Sequence, residues 1–114
     1  MATVYGIKNC DTVKKALAWL DGHHVDYRFH DFRKDGLDEE ILRGWVKELG
    51  WEALLNRRGT TWRRLPDADR ESLDETKAIA LMLTHPSIIK RPLLDLGTSR
   101  HLGFSTSDYE RLFG

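Results

Sequence analysis

The N-terminal part of the chain changes from one hydrophobic period to another and back. Val4-Tyr5-Gly6-Ile7 is an apolar run with the length of a buried strand, and it ends at Lys8-Asn9. Apolar residues then recur at helical spacing from Val13 to Leu20, and Asp21-Gly22 indicates the end of that helix. From Val25 to His30 apolar and polar residues alternate, which predicts a half-buried strand. This order predicts two parallel neighbouring strands with a right-handed helical connection.

The middle of the chain begins with a strongly amphipathic stretch. Lys34-Asp35-Gly36 predicts a turn, and Asp38 is expected to cap a helix that ends at Gly50. The apolar face of this helix consists of Ile41, Leu42, Trp45, Val46 and Leu49. Residues 51–55 predict one more helical turn that carries apolar residues back toward that face.

Residues 56–71 have no hydrophobic period and predict a loop. Asn56–Arg64 contains the arginines Arg57, Arg58, Arg63 and Arg64, and Pro66 and the acidic stretch Asp67–Glu71 follow. Ser72 and Glu75 then form a capping box, because a serine is followed three residues later by a glutamate. The helix that begins there is expected to stop at His85-Pro86.

The C-terminal part predicts two strands and a helix. The apolar run of residues 88–94 leads into the first strand, and the turn Leu96–Ser99 leads into the second, which ends near Leu102-Gly103-Phe104. Ser105 to Asp108 is a second capping box, and it opens a last helix. The order β-α-β, helices, β-β-α predicts an α/β protein with a thioredoxin-like, four-stranded mixed sheet. We expect a single domain of residues 1–114 with an additional helical layer inserted at about residues 36–85.

Composition narrows the class of protein. A chain of 114 residues with 40% hydrophobic residues can bury a core of its own. Its 18 basic and 18 acidic residues balance, so charge gives no reason to expect a nucleic-acid or membrane partner. The N-terminus has no signal-peptide pattern, and no apolar run is long enough to span a bilayer. One cysteine excludes an internal disulfide and suits a reducing compartment, which predicts a cytoplasmic protein.

That cysteine, Cys10, lies between the first strand and the first helix. There it faces the unsatisfied N–H groups and the positive end of the helix dipole, and Lys8, Lys14 and Lys15 add positive charge. This environment favours the thiolate, the form that attacks electrophiles, although Asp11 opposes it. A lone cysteine can equally be a small buried hydrophobe, so position by itself leaves both interpretations open.

The neighbours of Cys10 limit its chemistry. Asn9, Asp11 and Thr12 are short polar residues that can cap the helix and leave backbone N–H groups facing a bound anion. Val13 stands where a Cys-x-x-Cys motif has its second cysteine. A disulfide formed by Cys10 must therefore be resolved by an external thiol.

Other polar clusters carry less information. The arginine loop, which contains Arg57, Arg58, Arg63 and Arg64, can bind carboxylates or oxyanions through its guanidinium groups. It is also consistent with a solvated surface that forms weak ion pairs. Arg91-Pro92 stands before an apolar strand, where a proline is common. The five histidines have no ligand spacing, so no metal site is expected.

Several segments in order resemble the ArsC/Spx family, and the resemblance extends over essentially the whole chain. The segments are Gly6–Ala16, Leu54–Gly59, His85–Pro92 and Gly103–Ser105. This family of thioredoxin-fold proteins includes glutaredoxin-coupled arsenate reductases and the Spx transcriptional regulators. The chain looks most similar to the YffB-like bacterial branch, proposed to be glutathione-dependent thiol reductases.

The resemblance implies roles for individual residues. Cys10 matches the redox-active nucleophile, and Arg58 matches the anion-binding arginine of the middle loop. Arg91 matches the arginine before a cis-proline, so Pro92 is expected to be cis. The arsenate reductases use a third arginine where this chain has Gly103-Phe104, and Arg100 lies near without aligning. That difference weakens the case for arsenate reduction, since such a site works by stabilising oxyanion charge.

The predicted function is that of an oxidoreductase with one nucleophilic cysteine. Cys10 attacks a small disulfide, a mixed disulfide or an oxidised substrate, and glutathione or another small thiol resolves the adduct, with Lys8 helping to keep the sulfur ionised. Arg58 and Arg91 hold the anionic part of the ligand, and no tightly bound cofactor is expected. Two alternatives remain: an arsenate reductase coupled to glutaredoxin, and a Spx-like regulator that binds RNA polymerase. Val13 removes the Cys-x-x-Cys switch that such regulators usually carry.

Overall fold

Four strands form one mixed sheet in the computed structural model, which describes all residues from Met1 to Gly114. The strands are β1 (Ala2–Gly6), β2 (Tyr27–Asp31), β3 (Leu93–Asp95) and β4 (Arg100–Leu102). Their order is β2-β1-β3-β4, with β1 parallel to β2 and antiparallel to β3, and with β4 antiparallel to β3. This topology confirms the predicted thioredoxin-like α/β fold.

Eight α-helices and one 3-10 turn complete the chain. The helices are α1 (Asp11–Gly22), α2 (Phe32–Asp35), α3 (Glu39–Leu49), α4 (Trp51–Leu54), α5 (Thr60–Arg64), α6 (Asp67–Arg70), α7 (Glu75–Thr84) and α8 (Thr106–Phe113), and the 3-10 turn is Pro86–Ile88. None of these helices has the length and apolar character needed to cross a bilayer.

The chain divides into two compact units. The sheet unit consists of Met1–Asp35 and Arg91–Gly114, and the helical unit consists of Gly36–Lys90. The single domain with a helical layer inserted at about residues 36–85 stays a prediction.

The sheet unit buries one face of its sheet under α1 and α8. Its core cluster consists of Ala2, Val4, Ala16, Leu20, Leu94 and Tyr109. Because side chains alternate across a strand, Ala2 and Val4 lie on the same face, and both helices pack there. The Tyr109 ring makes edge contacts with Phe104 and Trp19, at centroid distances of 4.7 and 5.5 Å.

The helical unit has its own core, in which α3, α4 and α7 contact one another. Its buried apolar residues are Leu42, Trp45, Val46, Leu54, Leu55, Trp62, Leu65, Ala78, Ile79, Met82, Ile88 and Ile89. Leu55 and Ile89 form an isolated antiparallel bridge that joins the segment after α4 to the end of the unit.

Several local predictions need correction. The predicted loop of residues 56–71 contains two short helices, α5 and α6, and Trp62 of α5 is buried. The apolar run of residues 88–94 leads into a strand as predicted, since β3 starts at Leu93. Ile41, assigned to the buried face of α3, is 39% exposed.

The helix ends also differ in detail. Gly22 belongs to α1, and the chain turns instead at His24, which has a φ of 57°. Ser72 has a φ of 52° and does not cap α7, because Asp74 takes that position and accepts a hydrogen bond from the Lys77 N–H. The last capping box is confirmed, since Ser105 Oγ accepts from the Asp108 N–H at 3.1 Å.

Gly6 allows the end of β1 to approach the first turn of α1. A Cβ atom at this position would lie 2.8 Å from Cγ2 of Val13, a residue that is completely buried. A side chain here would therefore push α1, and Cys10 at its start, away from the sheet.

Gly6→Ala is expected to lower the free energy of unfolding by roughly 1–3 kcal/mol, the usual effect of overpacking a core. Urea unfolding followed by circular dichroism measures the change. The control is Gly22→Ala, because that glycine lies in the same helix as Val13 and its Cβ would meet no atom within 4 Å. This control is expected to stabilise the protein by up to about 1 kcal/mol, and equal unfolding free energies for the two variants would contradict the packing explanation.

Tyr109 titrates late because it is buried. Burial disfavours the phenolate and raises the pKa of Tyr109 to about 12 from the usual 10.0. The unfolded chain therefore loses this proton first, so the free energy of unfolding should be unaffected by Tyr109 below pH 10.0 and should fall between pH 10.0 and about 12.

The Tyr109 hydroxyl is also buried without a hydrogen-bond partner. Tyr109→Phe is therefore expected to raise the free energy of unfolding at neutral pH by up to about 1 kcal/mol and to flatten its alkaline decline. Tyr27→Phe is the matched control with the opposite sign, since the Tyr27 hydroxyl donates to Asp21 Oδ1 at 2.9 Å. A Tyr109→Phe protein less stable than the Tyr27→Phe protein would refute this assignment.

Candidate active site

A tight turn connects β1 to α1 and places Cys10 at the start of the helix. The Cys10 N–H donates to the Ile7 carbonyl at 3.3 Å, and the Cys10 carbonyl accepts from the Lys14 N–H at 2.9 Å. Cys10 itself is extended, with φ −106° and ψ 125°, and occupies the N-cap position. Helix α1 therefore begins at Asp11, the residue directly after Cys10.

The Cys10 thiol is partly exposed and accepts no capping hydrogen bond. The N–H groups of Asp11, Thr12 and Val13 have no acceptor within the helix, because they belong to its first turn. Together with the helix dipole, they make this position favourable for a negative charge on or near the sulfur.

The polar neighbours of Cys10 surround this position without capping the helix. Lys8 and Asn9 form the exposed turn before the cysteine, and Asp11 and Thr12 are the exposed first residues of α1. The expectation that one of the short polar residues caps α1 is wrong, because Cys10 itself occupies the N-cap position. All four side chains are accessible to a ligand bound at the sulfur.

The start of β3 lies at the same end of the sheet as Cys10. The Arg91–Pro92 peptide bond is cis, as the resemblance implies, and Pro92 is fully buried. Tyr5 pairs with Leu93 in the β1–β3 ladder, so Pro92 comes next to Gly6, where β1 ends. The Pro92 carbonyl also accepts from the Gly103 N–H at 2.9 Å. Cys10 and the Arg91–Pro92 segment, which are distant in sequence, thus lie at the same end of the sheet.

Arg100 lies at the other end of the sheet. It pairs with Asp95, which in turn pairs with Thr3 near the start of β1. Asp95 lies three positions after Pro92 along the chain, a distance of about 10 Å. The Arg100 side chain contacts Asp95, with Nε 3.5 Å from Oδ1. Arg100 is therefore held at the end of the sheet opposite to the end where β1 leads into Cys10.

Arg58 belongs to the helical unit, in the segment between α4 and α5. Its N–H donates to Asn56 Oδ1 at 3.2 Å, and its side chain is exposed. With Arg57 and Lys90 it lines a cavity of about 420 Å³. The sequence predicts Arg58 and its neighbouring arginines as candidate anion ligands, but it does not predict that Lys90 lies beside them. The Leu55–Ile89 bridge brings the segment of Lys90 next to that of Arg58.

A second residue that sequence reasoning missed is Gly6. The sequence indicates Gly6 only as the first residue of the family segment Gly6–Ala16. In the structure, the missing side chain at Gly6 allows Val13 of α1 to lie close to β1. A glycine within an apolar strand run is the only signal in the sequence for such a close approach.

The chain is similar to known proteins over nearly its whole length. The model of the ArsC family matches residues 5–112. A solved YFFB protein is 51% identical, with a TM-score of 0.95, and the alignment covers 100% of both chains. An arsenate reductase (ArsC) related protein from Brucella melitensis is 50% identical, with a TM-score of 0.79, over 98% of this chain and 93% of that one.

The similarity extends to regulators. The global transcriptional regulator Spx of Streptococcus pyogenes is 28% identical over 110 residues, which are 95% of this chain and 81% of the regulator. The family match covers residues 5–112, which is nearly the whole chain. This chain belongs to the ArsC family.

Proposed function

We propose that the chain is a thiol-dependent reductase whose nucleophile is Cys10 and whose adduct is resolved by glutathione. The observation that carries the proposal is the position of Cys10: a partly exposed N-cap residue without a capping hydrogen bond, at the sheet edge that also holds Arg91 and Pro92. An anionic group bound beside the sulfur would face the first N–H groups of α1.

The reaction proceeds by successive thiol–disulfide exchanges. The Cys10 thiolate attacks one sulfur of a small disulfide or mixed disulfide, the S–S bond breaks, and the second sulfur leaves as a thiolate that takes up a proton. A glutathione thiolate then attacks the new disulfide and releases Cys10, and glutathione carries away the other sulfur as a mixed disulfide. A second glutathione thiolate attacks the glutathione sulfur of this mixed disulfide and releases the substrate thiol, so two glutathione molecules become one oxidised glutathione for each disulfide reduced to two thiols.

Glutathione is the proposed second thiol because the chain has only one cysteine. The position three residues after Cys10 holds Val13, which is completely buried in the core. An external thiol must therefore complete the cycle, and a reducing compartment such as the cytoplasm supplies it. Lys8 supports the ionised sulfur, while Asn9, Asp11, Thr12 and Arg91 line the approach of an anionic substrate; Arg58 is assigned an anion-binding role by the family resemblance.

Arsenate reduction is the less supported enzymatic alternative. The similarity to an arsenate reductase (ArsC) related protein of known structure favours it. Arg100, however, lies at the far end of the sheet and contacts Asp95. Gly103, where the third arginine is expected, instead pairs through its N–H with the Pro92 carbonyl. One of the cations that such a site needs is therefore missing.

A regulatory function is the second candidate. The Spx relatives support it, and a regulator of this kind would bind RNA polymerase without needing a reactive Cys10. Val13 removes the two-cysteine switch, so Cys10 would be dispensable for polymerase binding. A complex with the polymerase that survives Cys10→Ser, combined with no thiol exchange at Cys10, would favour this function over the reductase.

Arg91 is expected to attract anionic reactants to Cys10. In Arg91→Gln, the rate of alkylation by the anion iodoacetate, divided by the rate with neutral iodoacetamide, should fall roughly tenfold, corresponding to about 1.4 kcal/mol. The ratio removes general effects on the reactivity of the sulfur. Arg100→Gln is the matched control, another partly buried arginine but at the opposite end of the sheet. A ratio that changes equally in both variants would contradict a local role for Arg91.

Oxidised glutathione is expected to form one adduct on the wild-type chain and none on Cys10→Ser, as measured by intact-protein mass spectrometry. Reduced glutathione should then remove the adduct, and without it the adduct should persist because no internal thiol exists. The lack of any adduct would count against the proposed nucleophile.

Val13→Cys tests the single-cysteine mechanism directly. The introduced thiol lies one helical turn from Cys10, on the same side of α1. It should expel glutathione from the adduct and leave an intramolecular disulfide, which lowers the mass of the chain by two hydrogens. An adduct equally persistent in this variant and in the wild type would argue against resolution at that position.

A further inference from the structure

We propose that the cavity of the helical unit lined by Arg57, Arg58 and Lys90 binds a small ligand with two carboxylates and one ammonium group. Glutamate is the simplest such ligand. Glutathione has the same charged groups, and to that extent the inference rests on the proposed function. The cavity itself is lined by residues of the helical unit alone: Glu52, Leu55, Asn56, Arg57, Arg58 and Lys90.

Backbone pairing fixes the frame of this cavity. The Asn56 N–H donates to the Ile88 carbonyl and the Lys90 N–H donates to the Leu54 carbonyl, both at 2.7 Å. Together with the Leu55–Ile89 bridge, these bonds hold Lys90 beside the arginine segment, which consists of residues 56–58. Leu55 and Ile89 are buried, so the pairing is anchored in the core of the helical unit.

The arginine segment is ordered by its own contacts. The Asn56 side chain accepts from the Arg58 N–H, and the Arg57 guanidinium lies 5.9 Å from the centre of the Trp62 ring. A cation at this distance from an indole face is attracted by the ring. Because Trp62 is 93% buried (7% exposed), it offers Arg57 a fixed platform. The cations are thus partly preorganised before a ligand arrives.

Charge then indicates the class of ligand. Three cations, Arg57, Arg58 and Lys90, line one cavity and repel one another unless an anion lies between them. Guanidinium groups match carboxylates by paired hydrogen bonds. Glu52 is the one carboxylate of the lining, and it provides a partner for an ammonium group. The lining therefore complements two carboxylates and one ammonium better than it complements a simple anion.

The test uses Cys10→Ser protein, so that binding does not depend on thiol chemistry. Glutamate is titrated at constant ionic strength and followed by amide chemical shifts in NMR. Saturable shifts are expected at residues 52–58 and 90, and Arg57→Gln and Lys90→Gln should each weaken binding about tenfold. Arg64→Gln and Lys47→Gln are the controls, because both cations are exposed in the same unit outside the cavity lining.

Glu52→Gln separates the proposed ligand from a plain anion. The variant should weaken binding of glutamate, which has an ammonium, and strengthen binding of glutarate, which lacks it. The proposal is overturned if glutamate gives no saturable shifts, or if the control variants weaken binding as much as Arg57→Gln does. It is also overturned if Glu52→Gln strengthens glutamate, glutarate and inorganic phosphate alike.

S-methylglutathione distinguishes this inference from the proposed function. Shifts at the same amides would support glutathione as the ligand of the cavity. Shifts with glutamate but not with S-methylglutathione would overturn the glutathione assignment and support the cavity as a site for an acidic amino acid. Because the thiol is blocked and Cys10 is replaced, neither result depends on whether Cys10 is a nucleophile.

Discussion

The antiparallel pairing of β1 with β3 is the interaction on which the sheet unit depends. It joins Thr3–Tyr5 to Leu93–Asp95, two segments separated by the whole helical unit. The entropy of closing so long a loop grows only slowly with its length, so an insertion of this size is compatible with a stable sheet. Without this pairing, Cys10 and the Arg91–Pro92 segment would not share an edge of the sheet, and Cys10 would be an isolated thiol.

Two further constraints build on that pairing. The absence of a side chain at Gly6 allows α1 to pack closely through Val13, which places the helix N-terminus directly after the turn that holds Cys10. The same close packing keeps position 13 in the core. The chemistry that follows is that of one nucleophile without an internal partner, and the dependence on an external thiol is a consequence of packing as much as of composition.

Elements with a strong period were predictable. The amphipathic spacing of α1, α3 and α7 and the apolar run of β1 decide the local conformation wherever burial agrees with the pattern. The segment between residues 56 and 71 was not predictable in this way, because α5 and α6 are too short to show a period and are held by burial of Trp62 and Leu65. Ser72 failed as a cap because its left-handed backbone places Asp74 at the start of α7 instead.

The order of the four strands and of the longer helices, the single cysteine between a strand and a helix, and the valine three residues after it all follow from the sequence alone. These are local properties, set by hydrophobic period and residue type. The position of Arg100 at the far end of the sheet, and the cavity that Lys90 lines with Arg57 and Arg58, depend instead on contacts between distant segments. The register of the strands places Arg100, and the isolated bridge places Lys90. Both depend on hydrogen bonds between distant segments, and no local sequence pattern specifies which segments pair.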